Sequence, residues 1–425
     1  MKRPHYAWYI LIVCFLLNML VQALIMSISN LYVIPMYNDF GVPRSLITLQ
    51  STCIMVSAIL SAPGWGRLYK AKDAHWLLPF ALACTSLTVF LRSFCPNIPT
   101  LLLLAFTKGV FFTGSTLLPI SILLTSWFQK KRGFAVSCAA IGSSFGGVIL
   151  SPLVEHLISS FGWRSSDKIM GIVLFLICVP IAWFVIHGKP ADLGLRPYGA
   201  EELIEAVKGA GPRATAAVSD ASNNEIRIVR KKFDVSEAAR CPIFYLLVLA
   251  VFFMTFANGA ALQLPTYLMD IGYAPSFAAR AVSAYMAIGI PGKLLLGQIV
   301  DRFGIKAAAC YNCTIAALAF ICFINAENDA TLVGIVVFFG LASGISSMIP
   351  TLLTARFFGG SSYGPVYGII ISANRLGGGL GTLLVATLFD LTGVYHIIWP
   401  LCFLMMILAM TSILLCFQRA KALGR

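Results

Sequence analysis

The sequence predicts an all-α membrane protein of twelve transmembrane helices in two pseudo-symmetric six-helix halves. Three observations lead there: a composition too apolar for water, twelve apolar windows long enough to cross a bilayer, and patterns of the first half that return in the second. Of the 425 residues, 59% are hydrophobic and 11% charged, and the mean hydropathy is positive. A typical water-soluble domain carries about 25% charge. A hydrocarbon core of about 30 Å takes roughly 20 helical residues at 1.5 Å each. The windows that qualify are 6–28, 45–66, 74–94, 99–128, 134–159 and 168–186 in the first half. Those of the second half are 243–269, 276–300, 305–325, 330–357, 363–389 and 395–417. The first window follows a basic start but lacks a small-residue cleavage site, so it is expected to be a span and not a removable signal.

Loop charge sets the expected orientation. With the N-terminus inside, the inner segments hold 23 of the 31 Lys and Arg residues and the outer loops five: Arg44, Arg92, Arg164, Lys168 and Arg280. An excess of Lys and Arg marks cytoplasmic loops, so both termini are expected in the cytoplasm and the chain in the inner cell membrane. The net charge of +14 then reads as a fringe facing anionic lipid, with no nucleic-acid partner. The remaining three cations, Lys108, Lys293 and Arg375, lie inside spans with no Asp or Glu at comparable depth in the sequence. A charge in hydrocarbon costs at least about 2.5 kcal/mol, so such residues face a bundle interior or a water-filled path, where a mobile anion can meet them.

The long polar segment divides the chain into an N-terminal half (1–187), a cytoplasmic linker (188–241) and a C-terminal half (242–425). Within the linker, residues 226–239 alternate apolar and basic side chains and suit either an amphipathic helix on the inner leaflet or a solvated strand of linker. Leu123-Leu124-Thr125-Ser126-Trp127-Phe128 at the end of span four returns as Leu352-Leu353-Thr354-Ala355-Arg356-Phe357 at the end of span ten. Gly133, Gly142 and Gly146 of span five return with the same intervals as Gly368, Gly377 and Gly381 of span eleven. Paired glycines let helix backbones approach closely.

Two segments carry a family resemblance. Gly297-Gln298-Ile299-Val300-Asp301-Arg302-Phe303-Gly304 resembles the loop signature of the major facilitator transporters. Its first-half counterpart, Gly66-Arg67-Leu68-Tyr69-Lys70-Ala71-Lys72-Asp73, keeps the glycine but has Lys70 where the aspartate is expected. The resemblance implies two rocking halves with a substrate site near the midplane, and it makes Gly66, Asp301 and Arg302 conformational gates. More narrowly, Trp127-Phe128-Gln129-Lys130-Lys131-Arg132-Gly133-Phe134-Ala135 followed by Gly142-Ser143 is similar to the span-five signature of the monocarboxylate transporters and of the oxalate:formate antiporters. Pro4-His5-Tyr6-Ala7-Trp8 keeps only the aromatic end of the animal monocarboxylate transporters' opening, which favours a bacterial-type member.

This resemblance assigns roles residue by residue. Lys293, four residues before Gly297, stands where the family binds the substrate carboxylate, with a point charge in place of the two-pronged arginine fork. Arg375 stands where the oxalate:formate antiporters place a second substrate cation, and Lys108 where the superfamily has a coupling or packing residue. Asn18 and Gln22 of span one and Asn258 and Gln263 of span seven are candidates to complete the substrate cavity. Ordinary readings stand beside these: snorkelling for Lys293, a carbonyl or Asn374 contact for Arg375, interhelical bonding for the amides. Glu155 and His156 suit interfacial anchoring or titration.

The expected function is alternating-access transport of a small, monocarboxylate-like organic anion by a monomer. Proton-coupled symport is the expected mode, although Gly289 stands where animal monocarboxylate transporters carry an acid. The alternatives are a dicarboxylate or carboxylate antiporter and a transport-inactive membrane sensor. No enzyme activity and no cofactor are expected: there is no phosphate-cradling loop or nucleophile–His–acid set, and Cys310 and Cys313 have no His or acid near them in sequence to complete a metal site.

Overall fold

The computed structural model describes residues 5–42, 44–200, 241–273, 275–325, 329–359, 363–392, 395 and 397–422. The linker stretch 226–239 lies outside them. The described chain forms two compact units, Met1–Lys130 with Cys138–Glu205, and Lys131–Ser137 with Ala206–Arg425. All regular elements among the described residues are helices, apart from one isolated bridge between Phe128 and Tyr198.

In the first unit, α1 (Ala7–Leu17) runs on as a π-helix (Asn18–Ser27) and a tight turn (Ser29–Tyr32) into α2 (Val33–Phe40), and these together form span one. Span two is α3 (Arg44–Ala71), and span three is α4 (Ala74–Arg92), opened by Asp73, whose carboxylate accepts from the His75 amide as an N-cap does. Span four is α5 (Ile98–Ser115) and α6 (Leu117–Trp127), parted at Thr116, where φ is −124° and ψ −109°. The long α7 (Arg132–Val185) holds spans five and six and bends at Gly162, whose φ of 76° falls where only glycine is unstrained.

The second unit is built in the same order. Span seven is α8 (Pro242–Ala261) and α9 (Leu264–Asp270); α10 (Pro275–Ile324) holds spans eight and nine and bends at Gly304, φ 82°. Span ten is α11 (Asp329–Leu341) and α12 (Met348–Phe358), followed by α13 (Tyr363–Thr392) and α14 (Ile398–Ala422) as spans eleven and twelve. Eight helices among the described residues are long and apolar enough to cross a membrane. Since α7 and α10 each bend into two, and α3 and the two shorter helices of span ten fill the remaining windows, the chain follows the twelve-span path.

The glycine repeat is a packing repeat. A side chain at Gly142 or Gly146 would run into the carbonyls of Phe15 and Met19 in span one. One at Gly377 or Gly381 would run into those of Phe252 and Phe256 in span seven. Span five therefore lies against span one as span eleven lies against span seven.

One cation expected in an exposed outer loop is buried in an ion pair. Arg92 is the last residue of α4 and only 6% exposed, and it grips Asp167, 0% exposed, with both prongs: Nε donates to Oδ2 and Nη2 to Oδ1, each at 2.6 Å. Its guanidinium lies 4.6 Å from the Tyr32 ring centroid, and the Tyr32 hydroxyl is hydrogen-bonded to Ser166. The apolar window of span three ends within two residues of Arg92, so sequence alone puts it at the surface, whereas Asp167 draws it inward. The start of the expected linker also packs on this unit: the Tyr198 amide donates to the Trp127 carbonyl, and the Tyr198 carbonyl accepts from the amides of Gln129 and Lys130.

Candidate functional site

Spans one, four, seven and ten are all interrupted well inside the apolar windows. A helix break exposes amides and carbonyls that hydrocarbon cannot satisfy, so irregular backbone at membrane depth is tolerated only where it is buried in protein or lines a water-filled cavity. The breaks are therefore the first places to look for a site, and the candidate polar residues cluster on them.

In the second unit, the break of span ten covers residues 342–347. It is held from two sides. The Ser343 hydroxyl donates to the Gly289 carbonyl of α10 at 3.2 Å, and Asn374 Nδ2 of α13 donates to the Ser346 carbonyl at 2.7 Å. Backbones meet here as well, since a side chain at Gly292 would collide with Leu341 and the Gly340 carbonyl. Lys293, 7% exposed, follows Gly292 directly, and Arg375 follows Asn374. The two expected anion-binding cations thus stand on the two helices that clamp one broken segment. Asn374, an expected partner for Arg375, gives its Nδ2 to the Ser346 carbonyl. Tyr367, two turns before Arg375 on α13, is an electrostatic neighbour of the guanidinium and shares a 2.6 Å hydrogen bond with Thr351 of α12. Asn258 and Gln263 are half-buried, Gln263 within the break between α8 and α9.

In the first unit, Asn18 is buried at the start of the π-helix, and its Nδ2 donates to the Ala139 carbonyl of α7 at 2.9 Å, an interhelical bond of the ordinary kind. Gln22 lies one turn on; its Oε1 is buried with no donor among the described residues. π-helical stretches often mark functional sites. Lys108, 4% exposed, lies on α5 two turns before the break at Thr116. Glu155 and His156 are exposed on α7.

The gate residues divide. Asp301 caps the first turn of α7: its two carboxylate oxygens accept from the amides of Gly133 at 2.8 Å and Phe134 at 2.9 Å, all within the second unit. A carboxylate there answers both the unsatisfied amides and the positive end of the helix dipole. A side chain at Gly133 would meet the Gly297 carbonyl and Asp301 itself, and Lys131, two residues earlier, holds a φ of 57°, uncommon outside glycine. Arg302 is exposed, and Gly66 is buried within α3. The loop signature is legible in sequence; that its aspartate caps the helix opened by the basic triplet is not.

Comparison with known proteins agrees with this architecture. The Major Facilitator Superfamily model matches residues 11–382. Monocarboxylate transporter 12 of Rattus norvegicus is 25% identical over 433 residues, covering 99% of this chain and 87% of the relative. The gallate transporter of Pseudomonas putida is 23% identical over 420 residues, covering 92% and 90%. Among solved structures, the proton:xylose symporter XylE superposes with a TM-score of 0.72 at 14% identity, covering 97% of this chain and 95% of XylE. The human organic anion transporter MFSD10 superposes at 0.68 and 14%, covering 97% of this chain and all of that one. At such identity these structures speak to the fold alone.

Proposed function

Because the chain belongs to the Major Facilitator Superfamily and is a multi-pass membrane transporter, we propose that its cargo is a small organic carboxylate, bound by Lys293 and Arg375. The observation that carries this reading is the shared clamp: both cations stand on the helices that hold the break of span ten. Relatives named for monocarboxylates and for gallate support the substrate class. Gln22, Asn258 and Gln263 are proposed as neutral hydrogen-bonding groups toward the substrate and Asn18 chiefly as their support. Asp301, with Gly66 and Arg302, acts in gating and Lys108 in coupling. We assign the protein to the inner membrane as a monomer with both termini cytoplasmic.

Proton symport is the proposed mode. With Gly289 in place of an acid, the proton travels with the substrate. Exchange of carboxylates is the second reading, favoured by the presence of two cations, one for each end of a dicarboxylate.

Uptake of labelled lactate, gallate and oxalate into proteoliposomes tests both. Lys293→Gln should abolish carboxylate uptake with insertion intact, and Lys293→Arg should keep part of it, because charge matters before fork geometry. Wild-type uptake by the Gln variant would remove Lys293 from the site. Stimulation by an imposed pH gradient without internal substrate is the expected result for symport, and strict dependence on internal substrate would establish exchange instead.

A further inference from the structure

We propose that Ser343 and Asn374 are positioning residues which fix the break of span ten between α10 and α13 and thereby set the spacing of the two substrate cations; this rests on the assignment of Lys293 and Arg375 to the substrate. By helical geometry the Gly289 carbonyl is the acceptor of the Lys293 amide. Ser343 binds that same carbonyl at 3.2 Å, so its hydroxyl is attached to the turn of α10 that presents Lys293. On the other side, Asn374 Nδ2 meets the Ser346 carbonyl at 2.7 Å, and Asn374 and Arg375 are consecutive on one helix. Only Gly344 and Ile345 of the break separate the two anchors. The strap between the cations is therefore short and held at both ends.

The chemistry of the anchors suits the task. The Ser346 carbonyl, released by the helix break in a water-poor bundle, must be satisfied, at a cost of several kcal/mol if it is not, whereas the Gly289 carbonyl already accepts within α10 and takes the Ser343 hydroxyl on its second lone pair. A carboxylate side chain could not donate to them, and it would compete with the substrate for the cations. A hydroxyl and a carboxamide donate without adding charge. Gly289 and Gly292 allow the approach, because a side chain at either would strike Ser343, or Leu341 and the Gly340 carbonyl.

A brace that only holds the fold and one that sets cation spacing predict different kinetics. An anion that engages one cation should feel a change of spacing less than an anion that engages both. Acetate offers one carboxylate, and lactate adds a hydroxyl that can reach the second cation. The test uses full-length protein in proteoliposomes and initial rates for both anions in wild type, Ser343→Ala, Ser343→Thr, Asn374→Leu and Lys293→Gln. Loss of one hydrogen bond should raise KM for lactate roughly fivefold to tenfold. Vmax should stay within about twofold, and the lactate-to-acetate KM ratio should shift. Ser343→Thr, which keeps the hydroxyl, should restore the wild-type ratio. Ser343→Ala removes a single oxygen and keeps the test readable if Asn374→Leu does not fold. An unchanged KM ratio in both Ser343→Ala and Asn374→Leu, whether or not Vmax and thermal stability fall, would reduce the brace to packing. Lys293→Gln separates the two ideas: wild-type transport there sinks the cation assignment, whereas loss there with normal kinetics in the brace variants sinks the brace alone.

Discussion

The Arg92 pair of the first unit and the two candidate cations of the second sit in opposite settings. In the first, Arg92 is closed by Asp167 in a bidentate pair, roofed by the Tyr32 ring and tied further to Gln50. In the second, Lys293 and Arg375 flank a broken helix anchored by neutral donors, while Asp270 and Asp301, two of its acids, are exposed. A pair of matched charges that satisfy each other in fixed geometry is finished chemistry, and no cycling ligand needs to enter. Two cations beside a segment of irregular backbone are a place for an anion to enter and leave. The first arrangement belongs to folding; the second suits the transport role proposed for it.

The largest expected effect tests this division directly. Asp167→Ala leaves Arg92 buried without its partner, and breaking such a pair costs about 3–5 kcal/mol. Thermal unfolding of the purified protein should show a large drop or no folded protein at all. If Arg375 binds substrate as proposed, Arg375→Gln should behave oppositely, with transport weakened or lost and stability falling far less than in Asp167→Ala. Destabilisation of the same size in both variants would make the second unit's cations structural and end the comparison.

Much of the fold was legible because it follows from period and composition. The twelve windows, the glycine intervals and the loop signature at Gly297 all reappear as spans, helix contacts and a capped helix. The breaks were missed, since no window loses its hydropathy at Thr116 or around Ser346, and mean hydropathy does not respond to backbone geometry. A signal was nevertheless present: Pro35, Pro119, Pro265 and Pro350 each fall within the first three residues of the helix that resumes after a break, where a missing amide costs nothing. Arg92 was misread for the same local reason. Its partner lies 75 residues away in sequence, and span edges alone cannot bring the two together. For the site, the positions of Lys293 and Arg375 were readable, but their shared attachment to span ten was not, because it depends on two side-chain bonds to backbone carbonyls.

A middle-sized effect asks whether the units are alike where they should be. Gly146→Val and Gly381→Val each force a branched side chain into a backbone carbonyl of the neighbouring span, at Met19 and Phe256 respectively. Overpacking of this kind costs about 1–3 kcal/mol. Similar losses of thermal stability in the two variants are expected from equivalent packing. A difference well beyond that range would mean that only one of the two contacts is close in the membrane, and the symmetry of the halves would hold for sequence but not for energetics.

The smallest effect belongs to a second ion pair of the first unit, and it separates burial from charge as the cause of the Arg92 result. Arg164 donates from Nη2 to Asp39 Oδ2 at 2.8 Å, but the two side chains are 38% and 40% exposed. Water screens such a pair, which contributes about 0–1 kcal/mol. Asp39→Asn should therefore shift stability slightly, and less in high salt than in low salt. Its oxygen can still accept from Trp163 Nε1, and Arg164 keeps its bonds from Nη1 to the carbonyls of Ser93 and Cys95. Arg164→Gln should cost more than Asp39→Asn because it removes those two carbonyl contacts as well as the pair. If Asp39→Asn instead approached the effect of Asp167→Ala, this end of the first unit would depend on charge whatever its exposure, and burial would no longer distinguish its structural pair from the transport cations of the second unit.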